Sequence, residues 1–163
     1  MQSRMTEFLA QQGIRALAAW PKQDRTQRKE PLAVVRVKEI EASGIGFQHY
    51  LGESLDETGQ QWTETYGQKA TVRFAIELYS PPETGEEGCR QLLDQVAAAL
   101  QAGGPTGLTT DSWVMGETCF QQASGMFHGR LQVVCRGLLT AQTDTDGAFL
   151  GFEVKGEVQV CLQ

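Results

Sequence analysis

Between Lys69 and Tyr79 an apolar residue falls on every second position: Ala70, Val72, Phe74, Ile76 and Leu78. A period of two puts all five on one face of an extended chain, which requires a sheet and an apolar layer to cover it. The run stops at Ser80-Pro81-Pro82, since proline has no N–H to give to a strand ladder. Thr84-Gly85-Glu86-Glu87 then has the form of a capping box, with Thr84 expected to accept a backbone hydrogen bond and Glu87 to reach back. Cys89, Leu92, Leu93, Val96, Ala99 and Leu100 recur at three- and four-residue intervals, so the spacing predicts an amphipathic helix that Gly103-Gly104-Pro105 ends. This strand and helix are the expected folding centre.

The flanking sequence supplies more of the sheet. Met5, Phe8, Leu9, Ala16, Leu17 and Trp20 predict a helix over residues 4–20, within an N-terminal segment 1–21 that Pro21 closes; Gly13 weakens its interior. Residues 22–31 are polar, and the segment reads either as a solvated loop or as a basic arm in which Lys22, Arg25, Arg28 and Lys29 meet an acidic neighbour. Leu32–Glu41 is the first strand candidate, β-branched but imperfectly alternating. Residues 43–68 carry little regular pattern and five glycines, together with Phe47, His49, Tyr50, Trp62 and Tyr66. A stretch of this length either forms a weakly encoded hairpin or orders against a partner, because a compact domain seldom carries a long structureless loop. The second reading is favoured in part, since aromatic residues on polar, glycine-rich loops often anchor interfaces.

After the turn-rich residues 107–112, Val114–Gln121 and Met126–Ala141 predict a hairpin about Ala123-Ser124-Gly125. Phe127, Leu131, Val133, Cys135 and Leu139 share one face of the second strand, and His128, Arg130, Gln132 and Arg136 the other. A turn at Asp146-Gly147 leads into a last alternating strand that ends near Leu162. The expectation is a single α+β domain over residues 1–163. Its mainly antiparallel sheet is covered by a central amphipathic helix, with an N-terminal helix and a long loop or hairpin between the first two strands.

Composition narrows the chemistry. A formal net charge of −6 argues against general attraction to nucleic acid or to anionic membranes. No apolar run approaches the roughly 18–20 residues that span a bilayer, and residues 1–8 lack the apolar core of a secretory leader, so the default location is cytosolic. Cys89, Cys119, Cys135 and Cys161 lie far apart without zinc spacing and are expected as small apolar fillers. The sequence has no nucleophile elbow, zinc-protease helix or phosphate loop. His49 and His128 are the only histidines, and no carboxylate is obviously placed to orient His128. The expectation is a protein that is not an enzyme, with no cofactor and no metal.

One run is more specific. Val72–Tyr79 followed by Ser80-Pro81, then Gly85, Gly88-Cys89 and the amphipathic helix, resembles the tail terminator (tail completion) proteins of bacteriophages and prophages. Gly116-Glu117 and the strand Phe127–Leu139 extend the resemblance, which covers roughly residues 31–141. It implies a closed ring of identical subunits, typically six, on the head-proximal end of a tail tube. Such a ring ends tube polymerisation, meets a neck or head-completion protein and, in contractile tails, the sheath; DNA passes through without specific binding. The place implied is the virion, assembled in the host cytoplasm, with no cofactor or reaction. On this reading Arg25, Arg28, Lys29, Phe47, His49, Tyr50, Trp62, Tyr66, His128 and Arg130 contact partners. Two alternatives stay open: another tail or neck component, such as a tail-tube protein or head–tail adaptor, or a small enzyme or ligand-binding domain with residues 43–68 as its lid.

Overall fold

The computed structural model of the chain describes residues 1–20, 30–45, 49–55, 62–144 and 149–155. Among these residues two helices, α1 (Gln2–Gln11) and α2 (Gly85–Ala102), accompany eight strands: β1 (Ala16–Leu17), β2 (Leu32–Gly44), β3 (Tyr50–Leu55), β4 (Trp62–Ser80), β5 (Thr109–Met115), β6 (Cys119–Gln121), β7 (Met126–Asp144) and β8 (Phe149–Lys155). All eight join one sheet, antiparallel except for the β1–β2 pair, so the fold is the expected α+β class.

β4 and β7 form the spine. Their register runs without a break from Thr63↔Asp144 to Ser80↔Phe127. β2 covers the other edge of β4 from Tyr79 to Gln68, and β3 continues that edge from Tyr66 to Trp62. Along the outer edge of β7 lie β6, β5 and β8 in turn. The alternating residues Val72, Phe74, Ile76 and Leu78 are buried beneath α2 and α1, with Leu131, Val133 and Cys135 beside them from β7. α2 contributes Cys89, Leu92, Val96, Ala99 and Leu100, and α1 contributes Met5, Phe8 and Leu9.

Several expectations are corrected. The N-terminal helix stops at Gln11 rather than near residue 20. Gly13 adopts φ +77, the Gly13 N–H donates to Ala10 O and the Ile14 N–H to Leu9 O, so a left-handed glycine closes the helix in a Schellman motif. Ile14 and Leu9 are both buried there, and the following Ala16–Leu17 pairs with β2 instead of extending the helix. The capping box also does not form. Thr84 Oγ1 donates to Pro81 O (3.1 Å) and shares a hydrogen bond with Ser80 Oγ (2.7 Å), which takes it away from the helix N–H groups. Ser80 is fully buried, so the hydroxyl of Thr84 satisfies a core polar group instead.

Within residues 43–68 the described parts pair as strands, as the hairpin alternative expects: β3 pairs with β4, and β4 begins at Trp62, several residues before the alternation of Lys69–Tyr79 becomes obvious. The segment read as one strand over Val114–Gln121 is two, β5 and β6, and β5 starts at Thr109 inside the expected turn. Gly103 ends α2 as expected, in an extended conformation. Cys89 and Cys135 are buried as expected, whereas Cys119 is exposed on the short edge strand β6. Asp146-Gly147 and Cys161, with the last strand beyond Lys155, lie outside the described residues.

The packing accounts for the Ser-Pro…Gly-Cys run. A Cβ on Gly88 would stand 2.4 Å from Ser80 Oγ and 2.6 Å from Thr84 Oγ1, so only glycine lets α2 start this close to the end of β4. Gly129 on β7 is also closely approached, since an added Cβ would stand 3.1 Å from Cys89 Sγ and the sulfur would have to give by a few tenths of an ångström. Gly88→Val is expected to destabilise the fold by about 1–3 kcal/mol through overpacking. Gly103→Ala, with open space around it, should change stability by less than about 0.5 kcal/mol. Urea midpoints of the two variants check this, and equal midpoints would contradict the packing account.

Candidate interaction surface

The helices cover only part of the sheet. Beyond Ala70, strands β3, β4, β7 and β8 continue for about 25 Å at ~3.3 Å per residue as an arm, and none of its described residues belongs to the core packed beneath the helices. Because the phase of β4 is unbroken, Trp62, Glu64 and Tyr66 lie on the same face as Val72 and Phe74. Register places Tyr50 opposite Tyr66, Glu53 opposite Glu64 and Leu55 opposite Trp62. The Tyr50 and Tyr66 rings meet edge to face with centroids 5.7 Å apart. Leu55 and Trp62 remain 47% and 45% exposed, and Ile40, where β2 approaches the arm, 49%. The apolar stripe of the core therefore runs out into solvent.

Carboxylates interrupt that stripe. Glu53 and Glu64 face each other across the β3–β4 pair, a like-charge arrangement that is unfavourable unless something positive lies over it. Tyr66 Oη donates to Glu64 at 2.7 Å, and this hydrogen bond, with burial next, holds the phenol above its ordinary value. On the reverse face Leu51 lies over Gly67, where a Cβ would come within 2.4 Å of Leu51 Cδ1.

The other end of the sheet has a different character. Leu32, Val34, Tyr79 and Met126 form a second small core on the face away from α2, joined by Leu17 and Trp20. This second layer explains why Leu32–Val35 is apolar without alternation: both faces of β2 are buried there. Trp20 packs on Tyr79 (4.6 Å between centroids) and Tyr79 on His128 (4.9 Å). Arg36 pairs with Glu77 at 3.3 Å, and Tyr79 Oη donates to the same carboxylate at 3.1 Å. Burial, followed by the Glu77 charge, pushes the Tyr79 phenol up to about 12. A cavity of about 300 Å³ opens here, lined by Trp20, Arg36, Tyr79, Gln121, Ala123 and Ser124.

The residues singled out from the sequence therefore fall into separate groups. Tyr50, Trp62 and Tyr66 come together on the arm, with His49 at its base at φ +64, its ring against Gly44. His128 and Arg130 lie at the opposite end, Arg130 exposed and in register with Glu77. Arg25, Arg28, Lys29 and Phe47 lie outside the described residues. The sequence reading missed Leu51, Glu53, Leu55 and Glu64, and also the cavity residues Trp20, Arg36 and Tyr79. The first group had a usable signal: Trp62, Glu64 and Tyr66 hold the same even phase as Ala70 through Leu78. Among the described residues no group of three or more His, Cys, Asp or Glu is placed to hold a metal ion, and no helix is long and apolar enough to cross a membrane.

No protein-family model and no curated protein sequence matches the chain. Among solved structures, the chain is similar to the sheath/tube terminator of an extracellular contractile injection system, PVC, in its extended state. The superposition has a TM-score of 0.48 and 16% sequence identity, and covers 99% of this chain and 63% of that one. The chain thus spans less than two thirds of that neighbour's length.

His128 supplies a pH signature for the cavity end. Burial against Tyr79 lowers its pKa below the ordinary 6.5, Arg130 adds to the effect, and Glu77 opposes it. A lowered folded-state pKa means the fold prefers the neutral ring, so this contribution is present above pH 6.5 and is lost as pH falls through the depressed value. The melting temperature of the native chain is expected to drop more steeply between pH 6.5 and 5 than that of His128→Gln. Parallel profiles would show that His128 is not the group responsible.

Proposed function

We propose that the chain is a structural subunit of a phage-like tail, forming a closed ring that caps the head-proximal end of the tail tube. The ring ends tube polymerisation and joins the tail to the neck, and in a contractile tail it also meets the sheath. The observation that carries this reading is the arm: four paired strands that extend the sheet past its helices and leave Tyr50, Leu55 and Trp62 exposed on the face continuous with the core. A ring subunit needs such a surface, because each copy must bury one patch on its neighbour and keep another free for the next component. The resemblance of the Val72–Cys89 run to tail terminator proteins supplies the particular assembly. The residues of that run build the scaffold: Ser80, Thr84 and Gly88 bring α2 onto the end of β4.

In this role the protein works by binding and by shape, with no reaction assigned to it. Six copies, a partner surface for the tube and another for the neck make up the full proposal, and the particle is assembled in the host cytoplasm. The net charge of −6 suits a ring around a DNA path, since like charge lets phosphate slide past without binding.

Deletion of the gene from its parent element is expected to give tails with tubes of uncontrolled length that fail to join heads. Purified protein alone should form closed rings and no tubes under negative-stain microscopy. Long tubes from the purified chain would instead identify a tube protein, and tails of normal length without the gene would remove the capping role.

A further inference from the structure

We infer that the arm face around Glu53 and Glu64 is the docking site for the basic run Lys22–Lys29 of a second copy of this chain, a head-to-tail contact that rests on the ring reading above. The argument begins with the arm. Glu53 and Glu64 stand opposite each other in register, flanked on one side by Tyr50 and Tyr66 and on the other by Leu55 and Trp62. A pair of carboxylates between aromatic rings, with Leu55 and Trp62 close to half exposed, is suited to a guanidinium. The planar fork hydrogen-bonds to carboxylate oxygens while its face stacks on an aromatic ring, and it relieves the repulsion between the two glutamates.

The chain carries a matching segment. Between Trp20 and Glu30, Lys22, Arg25, Arg28 and Lys29 stand against Asp24 alone, in a protein whose overall charge is −6. This segment is tied at both ends to the far end of the sheet. Trp20 packs on Tyr79 at 4.6 Å, and Glu30 lies two residues before Leu32, which pairs with Tyr79. Glu64 lies along β4 from Tyr79 by about 50 Å at ~3.3 Å per residue. Ten residue steps fixed at both ends reach outward only about 18 Å, half their extended length. The segment therefore cannot reach the arm of its own chain, although the two are complementary in charge. They meet between copies. Because the two patches differ and sit at opposite ends of one sheet, the contact is heterologous, and repetition closes a ring or extends a filament.

Mass photometry and sedimentation of the full-length chain test this. The native protein is expected to assemble, with the assembly weakened at least tenfold between 0.05 and 0.5 M salt. Glu53→Lys/Glu64→Lys and Arg25→Glu/Arg28→Glu should each weaken association at least tenfold, and Arg25→Lys/Arg28→Lys should weaken it less. The decisive variant combines both reversals in one chain, Glu53→Lys/Glu64→Lys/Arg25→Glu/Arg28→Glu, and should assemble again. Mixing the two singly reversed variants should also restore assembly. A native chain that stays monomeric at about 100 µM, single reversals that assemble like the native chain, or a combined variant that does not recover would each overturn the contact. Length control of tails by the same variants separates this from the capping role. Reversals that leave the oligomer intact in a protein that still caps tubes remove the contact and keep the cap. Recovery of assembly in a protein without which tails are normal keeps the contact and removes the cap.

Discussion

The unbroken pairing of β4 with β7 is the constraint on which the rest of the structure depends. Side chains alternate with a period of two, so a single register from Thr63↔Asp144 to Ser80↔Phe127 assigns every residue of both strands to a face. A one-residue slip would move Val72, Phe74, Ile76 and Leu78 out of the core and expose the whole set beneath α2. The same pairing carries the even phase of β4 beyond the helices, so that Tyr66 and Trp62 emerge on the face that is core farther along. One strand thus serves as folding centre and as exposed surface, and the difference between the two roles is whether a helix lies over it.

The two ends of this sheet solve different problems. At the Tyr79 end the chain approaches from both sides: α2 and α1 cover one face, while Trp20, Leu17 and Met126 close over the other. Burial on both sides tolerates few charges, and Glu77 is accommodated by pairing with Arg36 and by the Tyr79 hydroxyl. At the arm no described residue joins the helix-packed core and the side chains stay mixed, with aromatic rings and carboxylates alternating along β3 and β4. Cross-strand ion pairs between Arg73 and the residues Glu39 and Glu41 mark the transition on the outer face. Exposed pairs of this kind contribute little to stability, so the arm depends mainly on its ladder hydrogen bonds and on contacts between neighbouring side chains.

Close approach at glycine makes the junction of sheet and helix specific. Gly88 meets Ser80 and Thr84 across the β4–α2 contact, where a single methyl group would collide, and Gly129 meets Cys89 across the β7–α2 contact, where it would press on the sulfur. The Thr84 hydroxyl, which local pattern assigns to the helix N-terminus, is drawn to the buried Ser80 instead. A buried hydroxyl without a partner costs more than an exposed helix N–H that water can satisfy, so the tertiary demand prevails over the local one.

What the sequence by itself determined is set by period and by stop signals. The strand Lys69–Tyr79, helix α2 and the core strand Phe127–Leu139 are legible because each buries one face, and one-sided burial writes a periodic pattern. The α+β class follows from those elements. Other features depended on contacts between residues distant in the chain. Gly13 reads as a weak point in a helix, and it becomes a Schellman terminus only because Ile14 finds Leu9 in the core. Leu32–Val35 lacks alternation because a second layer, brought by Trp20 and Met126, buries its other face. β3 carries almost no pattern, since its residues stay largely exposed and its pairing is supplied by β4. The carboxylate pair Glu53/Glu64 is separated in sequence by residues outside the described structure and joined only by strand register. Local patterns record what a segment buries against its own side, whereas tertiary structure decides which surfaces meet and which remain exposed.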